Sequence, residues 1–265
     1  MTLAGETLPS SIEDRWHLIE SRQRLIIGLC PDLPGMGCWN REKHRFEGFE
    51  ADLARCLTEE LLGSEGKATY SSVPAGEQMQ HIWSEVAPGE RLPRVVNGEL
   101  DMVLSQLTIT AERLEIVDFS DPYFVASEDV LVPAGSAFQS LPDLRGKSVA
   151  VAEDTATFHR FSRLYPEINL VVTSRESDGI FMLLAGKVDG VANDNVNIDG
   201  LLASLPESDA SRMRRIDVAS LFDPKPFGIC IKKGSPIFLA KLNLAIAKLK
   251  ANGTIARLFE ASRQF

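Results

Sequence analysis

At 265 residues the chain can bury a large core and is long enough for two lobes. Its 44% apolar and 25% charged residues fall in the ordinary globular range. A net charge of −9 argues against a general nucleic-acid binder, which needs a basic face to neutralise phosphates. No apolar run approaches the ~20 residues of a membrane-spanning helix. In chain order, residues 10–22 predict an amphipathic helix, with Ser10 or Ser11 as N-cap and Glu13 or Asp14 in the first turn. A β-run at 25–29 and a breaker-dense loop at 31–37 follow. Residues 49–62 are helical by the spacing of Leu53, Leu57 and Leu61. Residues 68–73 read as a strand, 75–86 as a helix, and 91–97 as a short helix after Pro88-Gly89. A strand at 101–104 leads into Ser105-Gln106-Leu107-Thr108-Ile109-Thr110, then a turn and extended segment at 118–124 and a strand at 129–132.

From about residue 140 the alternation restarts. Strands at 148–152, 170–172 and 189–192 are each followed by a helix, from 155, over 176–185 and from about 195. A late strand at 227–231 precedes closing helices at 236–251 and 254–262. Strand–helix alternation met twice predicts an α/β fold with parallel sheets. Extended crossings at 125–131 and 222–228 make the middle segment an inserted lobe. The expected division is an N-terminal helix and leader remnant at 1–23, a first lobe at 24–127 plus 226–265, and a second lobe at 128–225. Small ligands prefer the cleft between such lobes.

The four cysteines, Cys30, Cys38, Cys56 and Cys230, form no CxxC and no zinc spacing with histidine, so they are expected to be reduced, mostly buried and metal-free. The four histidines, His17, His44, His81 and His159, lie in no HExxH, and no GxSxG is present. Arg145-Gly146-Lys147-Ser148 contains a GKS triplet, but the upstream P-loop glycine is replaced by Leu141, which leaves a turn before a strand.

Five blocks carry a resemblance. Gly48-Phe49-Glu50-Ala51-Asp52-Leu53-Ala54 looks like a GFEvDLa signature, and Asn97-Gly98-Glu99-Leu100-Asp101 like a GxxD stretch. Thr108-Ile109-Thr110-Ala111-Glu112-Arg113 with Val117-Asp118-Phe119-Ser120-Asp121-Pro122-Tyr123-Phe124 is close to TxTxxR…VDFSxPYF. Val188-Asp189-Gly190-Val191-Ala192-Asn193-Asp194 and Asn252-Gly253-Thr254 complete the set. In this order, over about residues 12–264, they resemble the family-3 extracytoplasmic solute-binding proteins of the amino-acid class. The resemblance implies a two-lobed type II periplasmic-binding-protein fold. Each lobe would be a mostly parallel sheet flanked by helices, and two crossing strands would join them. It implies a monomer that binds a free L-amino acid, polar or acidic, outside the cytoplasm and delivers it to a membrane ABC permease complex, without a cofactor. Met1 to Glu6 carries neither a basic n-region nor an apolar h-region, so a leader would be absent from this chain, and a cytosolic or sensory role stays open.

Residue by residue, the resemblance gives Arg113 the ligand α-carboxylate. A planar, permanently charged guanidinium suits that group. Thr108 would donate to the same carboxylate, Asp194 would bind the α-ammonium, and the backbone N–H groups of Thr155 and Ala156 would meet the carboxylate at a helix start. Arg91, in Arg91-Leu92-Pro93, resembles the RiP element that reaches a side-chain carboxylate in the acidic branch, although by composition it is equally a solvated arginine. Cys30 stands where that branch often has a basic residue. Gln106 replaces a common glycine and would narrow the pocket, and Asp154 replaces the glycine of a GT turn and would have to point away as an N-cap. An apparent insertion at 75–87, with Gln78, His81 and Trp83, lies beside the ligand-facing loop. Among aromatics, Trp39 is the lead candidate for packing on a ligand, ahead of Phe46 and Phe49. No catalytic residue is assigned. A dehydratase on the same fold is the enzymatic alternative, with Glu153 or Asp154 as its acid.

Overall fold

The computed structural model describes residues 14–63, 67–70, 84–216 and 218–263. The chain opens with α1 (Arg15–Arg22), β1 (Arg24–Leu29), a three-stranded ribbon of β2 (Asp32–Leu33), β3 (Gly37–Asn40) and β4 (Arg45–Glu47), then α2 (Phe49–Leu62). It continues through β5 (Lys67–Tyr70), β6 (Ser84–Glu85), α3 (Arg91–Val96), β7 (Met102–Leu104), α4 (Ala111–Leu114), β8 (Val117–Phe119) and β9 (Phe124–Ala126). The middle part holds β10 (Glu128–Pro133), β11 (Ser148–Ala152), α5 (Ala156–Leu164), β12 (Asn169–Thr173), α6 (Asp178–Leu184), β13 (Gly190–Asp194), α7 (Asn195–Ala203), α8 (Glu207–Ala210) and β14 (Met213–Ile216). The chain returns through β15 (Lys225–Phe227) and β16 (Cys230–Lys232) to α9 (Pro236–Ala251) and α10 (Thr254–Ser262).

Two separate sheets organise the molecule. The first has the order β5-β1-β7-β16-β8, with β6 also paired to β1. Buried Leu25, Ile27 and Leu29 alternate along β1, as a strand half-facing a core requires, and α2 and α9 cover them with Leu53, Leu57, Phe238, Leu242 and Ile246. The second sheet has the order β12-β11-β13-β10-β14. One of its faces packs Val130, Val132, Val149 and Ala192 against Phe161 of α5. The parallel pairs are those of the strand–helix repeats: β1 with β5, β6 and β7, and β11 with β12 and β13. Strands that follow a crossing enter antiparallel, β10 in the second sheet and β16 in the first. Each sheet is therefore mixed, because a chain arriving from the other sheet runs against the repeats it joins. β9 and β15 pair antiparallel between the sheets, with Lys225 opposite Ala126.

Several local expectations are corrected. Ser10, Ser11 and residues 71–83 lie outside the described residues, so the proposed serine cap and most of the insertion do too. The first helix starts at Arg15 behind Asp14, whose Oδ1 accepts from the Trp16 N–H at 3.0 Å. The same carboxylate accepts from the N–H groups of Ile237 (2.7 Å) and Phe238 (3.3 Å) and so also caps α9. Ser84–Glu85, at the end of the helix expected over 75–86, is instead extended along β1. The single strand expected over 227–231 is broken into β15 and β16. Gly228 N–H turns to the Leu107 carbonyl (3.0 Å) and Ile229 N–H to Ser120 Oγ (2.9 Å). The buried Asp101 of the GxxD stretch is an anchor: it accepts from Ile26 N–H at 2.6 Å and Arg15 Nε at 2.7 Å, and pairs with Arg22.

Candidate ligand-binding cleft

Between the sheets lies a polar chamber lined by Arg91, Gln106, Thr108 and Arg113 from the first sheet's side and Thr155, Ala156, Thr157, Glu176, Asn193 and Asp194 from the second, with Lys225 from β15. The local sequence aims Arg113. Thr110 Oγ1 caps α4 by accepting Arg113 N–H at 3.3 Å, and Thr108, bridged to Phe227, fixes the chain just before it. The guanidinium then donates from Nη1 to the Thr108 carbonyl at 2.9 Å and from Nη2 to the Asp154 carbonyl at 2.8 Å. It thus touches both sides of the cleft through neutral acceptors, and among the described residues no carboxylate forms an ion pair with it. Burial, with Arg91 adding, lowers its pKa to about 10, which leaves it cationic at neutral pH.

Arg91 is not a solvated arginine. It is 2% exposed, its Nη2 lies 3.1 Å from Glu176 Oε1, and its Nε has no hydrogen-bond partner. Burial pushes the Glu176 carboxyl up in pKa, against the pull of Arg91. Gln106 sits at φ 47° and Asp154 at φ 53°. Both positions therefore need left-handed backbone, at a cost on the order of 1 kcal/mol for a side-chain-bearing residue, which gives a physical reason for glycine at the equivalent places in the resembling family. Gln106 donates its backbone N–H to Glu50 Oε1 at 2.9 Å and its side-chain N–H to Glu50 Oε2, so its buried Oε1 is left without a partner. The carboxylate dictates that amide orientation, since the flipped amide would set oxygen against oxygen. Tyr123 Oη also donates to Glu50, yet burial lifts the Glu50 pKa to about 7.

Across the cleft, Thr155 caps α5, accepting Phe158 N–H at 3.1 Å and donating to the Ala152 carbonyl at 2.8 Å. Asp154 is not the cap its sequence position suggested; its exposed carboxylate turns toward Gly89 instead. Glu153 is half-buried beside it, and neither carboxyl lines the chamber. Asp194 ends β13 at the start of α7 but makes no capping bond; its carboxylate pairs with Lys225 Nζ. Cys30 lies near the chamber without lining it. Its thiol donates to Asp32 Oδ1 at 3.0 Å, and burial raises its pKa well above the ordinary thiol value. Trp39 does not line the chamber either: it packs edge-on to Phe46 at 5.2 Å within its own ribbon, and Phe46 and Phe49 are fully buried in the core. Seven of the nine sequence-nominated residues thus share one chamber with Lys225, Glu176, Thr157 and Asn193, which had not been singled out. A lysine in the apolar run Lys225-Pro226-Phe227-Gly228-Ile229 was the available signal for the first of these.

The chamber itself encloses ≈ 10 Å³, about the room of one water. Next to it, sharing Thr108, Arg113 and Ala156, opens a cavity of ≈ 760 Å³ walled by Leu92, Pro93, Ile109 and Ile116 and by His159, Arg160 and Arg163 of α5. Contacts between the two sides hold this geometry. Asp32 Oδ2 accepts from Ser177 N–H (3.1 Å) and Oγ–H (2.6 Å), and α7 approaches so closely that a Cβ on Gly200 would lie 1.8 Å from the Pro34 carbonyl oxygen.

Residues 25–261 match the model of the bacterial extracellular solute-binding proteins, family 3. The chain belongs to that family. Among its relatives, a glutamine-binding protein of Geobacillus stearothermophilus is 32% identical over 227 residues, covering 85% of this chain and 79% of that protein. The ABC transporter glutamine-binding protein GlnH of Bacillus subtilis is 26% identical over 257 residues, 97% of this chain and 87% of that protein. A solved structure of ArgBP from T. maritima superposes with a TM-score of 0.78 at 27% identity, covering 93% of this chain and 97% of that one. The family-3 chain therefore has the two-lobed type II periplasmic-binding fold expected from its sequence blocks.

Proposed function

We propose that this family-3 protein binds a free L-amino acid by closing its two lobes, outside the cytoplasm, and passes it to an ABC permease without transforming it. The observation that carries the reading is the Arg113 fork: half-buried, cationic, paired with no carboxylate among the described residues, and reaching main-chain acceptors from both sides of the cleft. A ligand carboxylate takes the place of those neutral acceptors. Thr108 and the N–H groups at the start of α5 supply further donors, at the helix end where an anion is favoured. Two charge-assisted hydrogen bonds at about 1.5–3 kcal/mol each provide much of the about −8 kcal/mol of a micromolar complex. Arg91 is paired with Glu176 through Nη2 and has a buried Nε without a partner, and Gln106 offers a free acceptor. That pair suits an amide side chain better than a carboxylate, which narrows the polar-or-acidic class toward glutamine, in keeping with the names of the two relatives.

A thermal-shift screen of the twenty amino acids at millimolar concentration tests this. Binding adds RT ln(1 + [L]/Kd) of stability, so a micromolar ligand raises the unfolding midpoint clearly. Glutamine is expected to give the largest shift. A panel with no shift for any amino acid contradicts the assignment.

A further inference from the structure

Two carboxylates line the chamber, and each already has a cation: Glu176 has Arg91, and Asp194 has Lys225. The second cation differs from the first. Lys225 stands on β15, one of the two strands between the sheets, and is 1% exposed. Its Nζ also donates to Thr157 Oγ1 at 2.7 Å and lies 3.5 Å from Glu128 Oε2. Glu128, on β10, is itself 1% exposed and accepts from Arg160 on Oε2 at 3.0 Å, but its buried Oε1 has no hydrogen-bond partner. A buried carboxylate oxygen left unpaired is costly, and the other oxygen of the same carboxylate, Oε2, lies 3.5 Å from the Lys225 ammonium on its flexible four-carbon stem, within reach of a small shift.

We propose that Lys225 is a tethered stand-in for the ligand's ammonium: it neutralises Asp194 while the site holds no amino acid, and moves to Glu128 when an α-ammonium arrives. The idea rests on the amino-acid function proposed above. The second berth makes the exchange possible without stranding a charge. Lys225 and Arg160 then share Glu128, and Asp194 keeps one cation in either state. The displacement is small, since Nζ needs only to close the 3.5 Å gap to Glu128. Lys225 therefore competes with every ligand that carries an ammonium and assists carboxylates that lack one. It sets the discrimination between an amino acid and its des-amino acid, a property that Arg113 does not touch.

The test uses four pairs: L-glutamine with 4-carbamoylbutanoate, L-glutamate with glutarate, L-aspartate with succinate, and L-arginine with 5-guanidinopentanoate. Calorimetric Kd values are measured for the full chain and for Lys225→Met and Glu128→Gln. For the pair that wild type binds, Lys225→Met is expected to tighten the amino acid and weaken its des-amino acid, widening their ratio by about tenfold or more. Glu128→Gln removes the second berth and is expected to weaken the amino acid by about tenfold while leaving the des-amino acid unchanged. These opposite signs separate the exchange from a merely structural role. If either variant changes both members of a pair by the same factor, or if Lys225→Met weakens the amino acid, the proposal is wrong while the amino-acid function stands. If wild type binds none of the eight compounds, the best amino acid of the twenty-member screen and its des-amino acid replace them; if no amino acid binds, both fall together. Should Lys225→Met fail to fold, Glu128→Gln decides alone.

Discussion

Glu50 shows how one buried side chain can hold a cleft wall in place and carry a titration. Its carboxyl receives Gln106 and Tyr123, which fixes the backbone turn that precedes Thr108. Burial dominates those hydrogen bonds and sets the folded pKa at about 7, against an ordinary value of 4.5. The folded chain then holds a proton that the unfolded chain releases between those values. Stability from this group is therefore highest below about pH 4.5 and falls as pH rises to about 7, by about 3 kcal/mol in all. Glu50→Gln removes the titration, and its new amide N–H can donate to the free Gln106 Oε1 after that amide rotates. Urea denaturation at about pH 5 and pH 8 is expected to show wild type losing about 2–3 kcal/mol relative to the variant across the interval; parallel profiles would contradict it. At this scale the sequence is informative where chemistry is local. Arg113, Thr108 and Thr155 lie on short turns whose capping residues are adjacent in sequence. Lys225 and Glu176 are not legible that way, because Thr157, which accepts from Lys225, and Arg91, which pairs with Glu176, are 68 and 85 residues distant and only the folded chain brings them together.

Helix ends carry the element-scale argument. Asp14 serves two N-termini, those of α1 and α9, which lie more than 200 residues apart in sequence. Capping and the charge at two positive helix ends together are worth about 2 kcal/mol. Asp14→Ala is expected to lower the free energy of unfolding by that amount in chemical denaturation, with ligand affinity unchanged; a loss below about 0.5 kcal/mol would show the caps to be dispensable. Long elements were readable: α2 runs over the residues its leucine spacing indicates, and α9 and α10 over those expected for the closing helices. Short ones were less so. The ribbon β2–β4 and the strand β14 have runs of two to four residues, too few for a period to register. The break between β15 and β16 depends on acceptors from Leu107 and Ser120, which no local pattern announces.

For the whole molecule, the two sheets are joined by the paired strands β9 and β15 and held near one another by a few polar and close-packed contacts: Asp32 with Ser177, Arg91 with Glu176, Arg113 with the Asp154 carbonyl, and α7 at Gly200 against Pro34. Such an arrangement can open by rotation about the joining strands, and a ligand that bridges both sides shifts the population toward closure. The chamber encloses ≈ 10 Å³ in this arrangement, so the sides must part before anything larger than a water can occupy it. In the proposed mechanism Arg113 serves both carboxylate recognition and closure, since its fork reaches acceptors on both sides. Calorimetric titration of the best amino acid from the screen into wild type and Arg113→Ala measures this directly. Loss of affinity by about 100-fold or more, with the thermal midpoint of the unliganded protein nearly unchanged, is the predicted result. Binding within about threefold of wild type would contradict it.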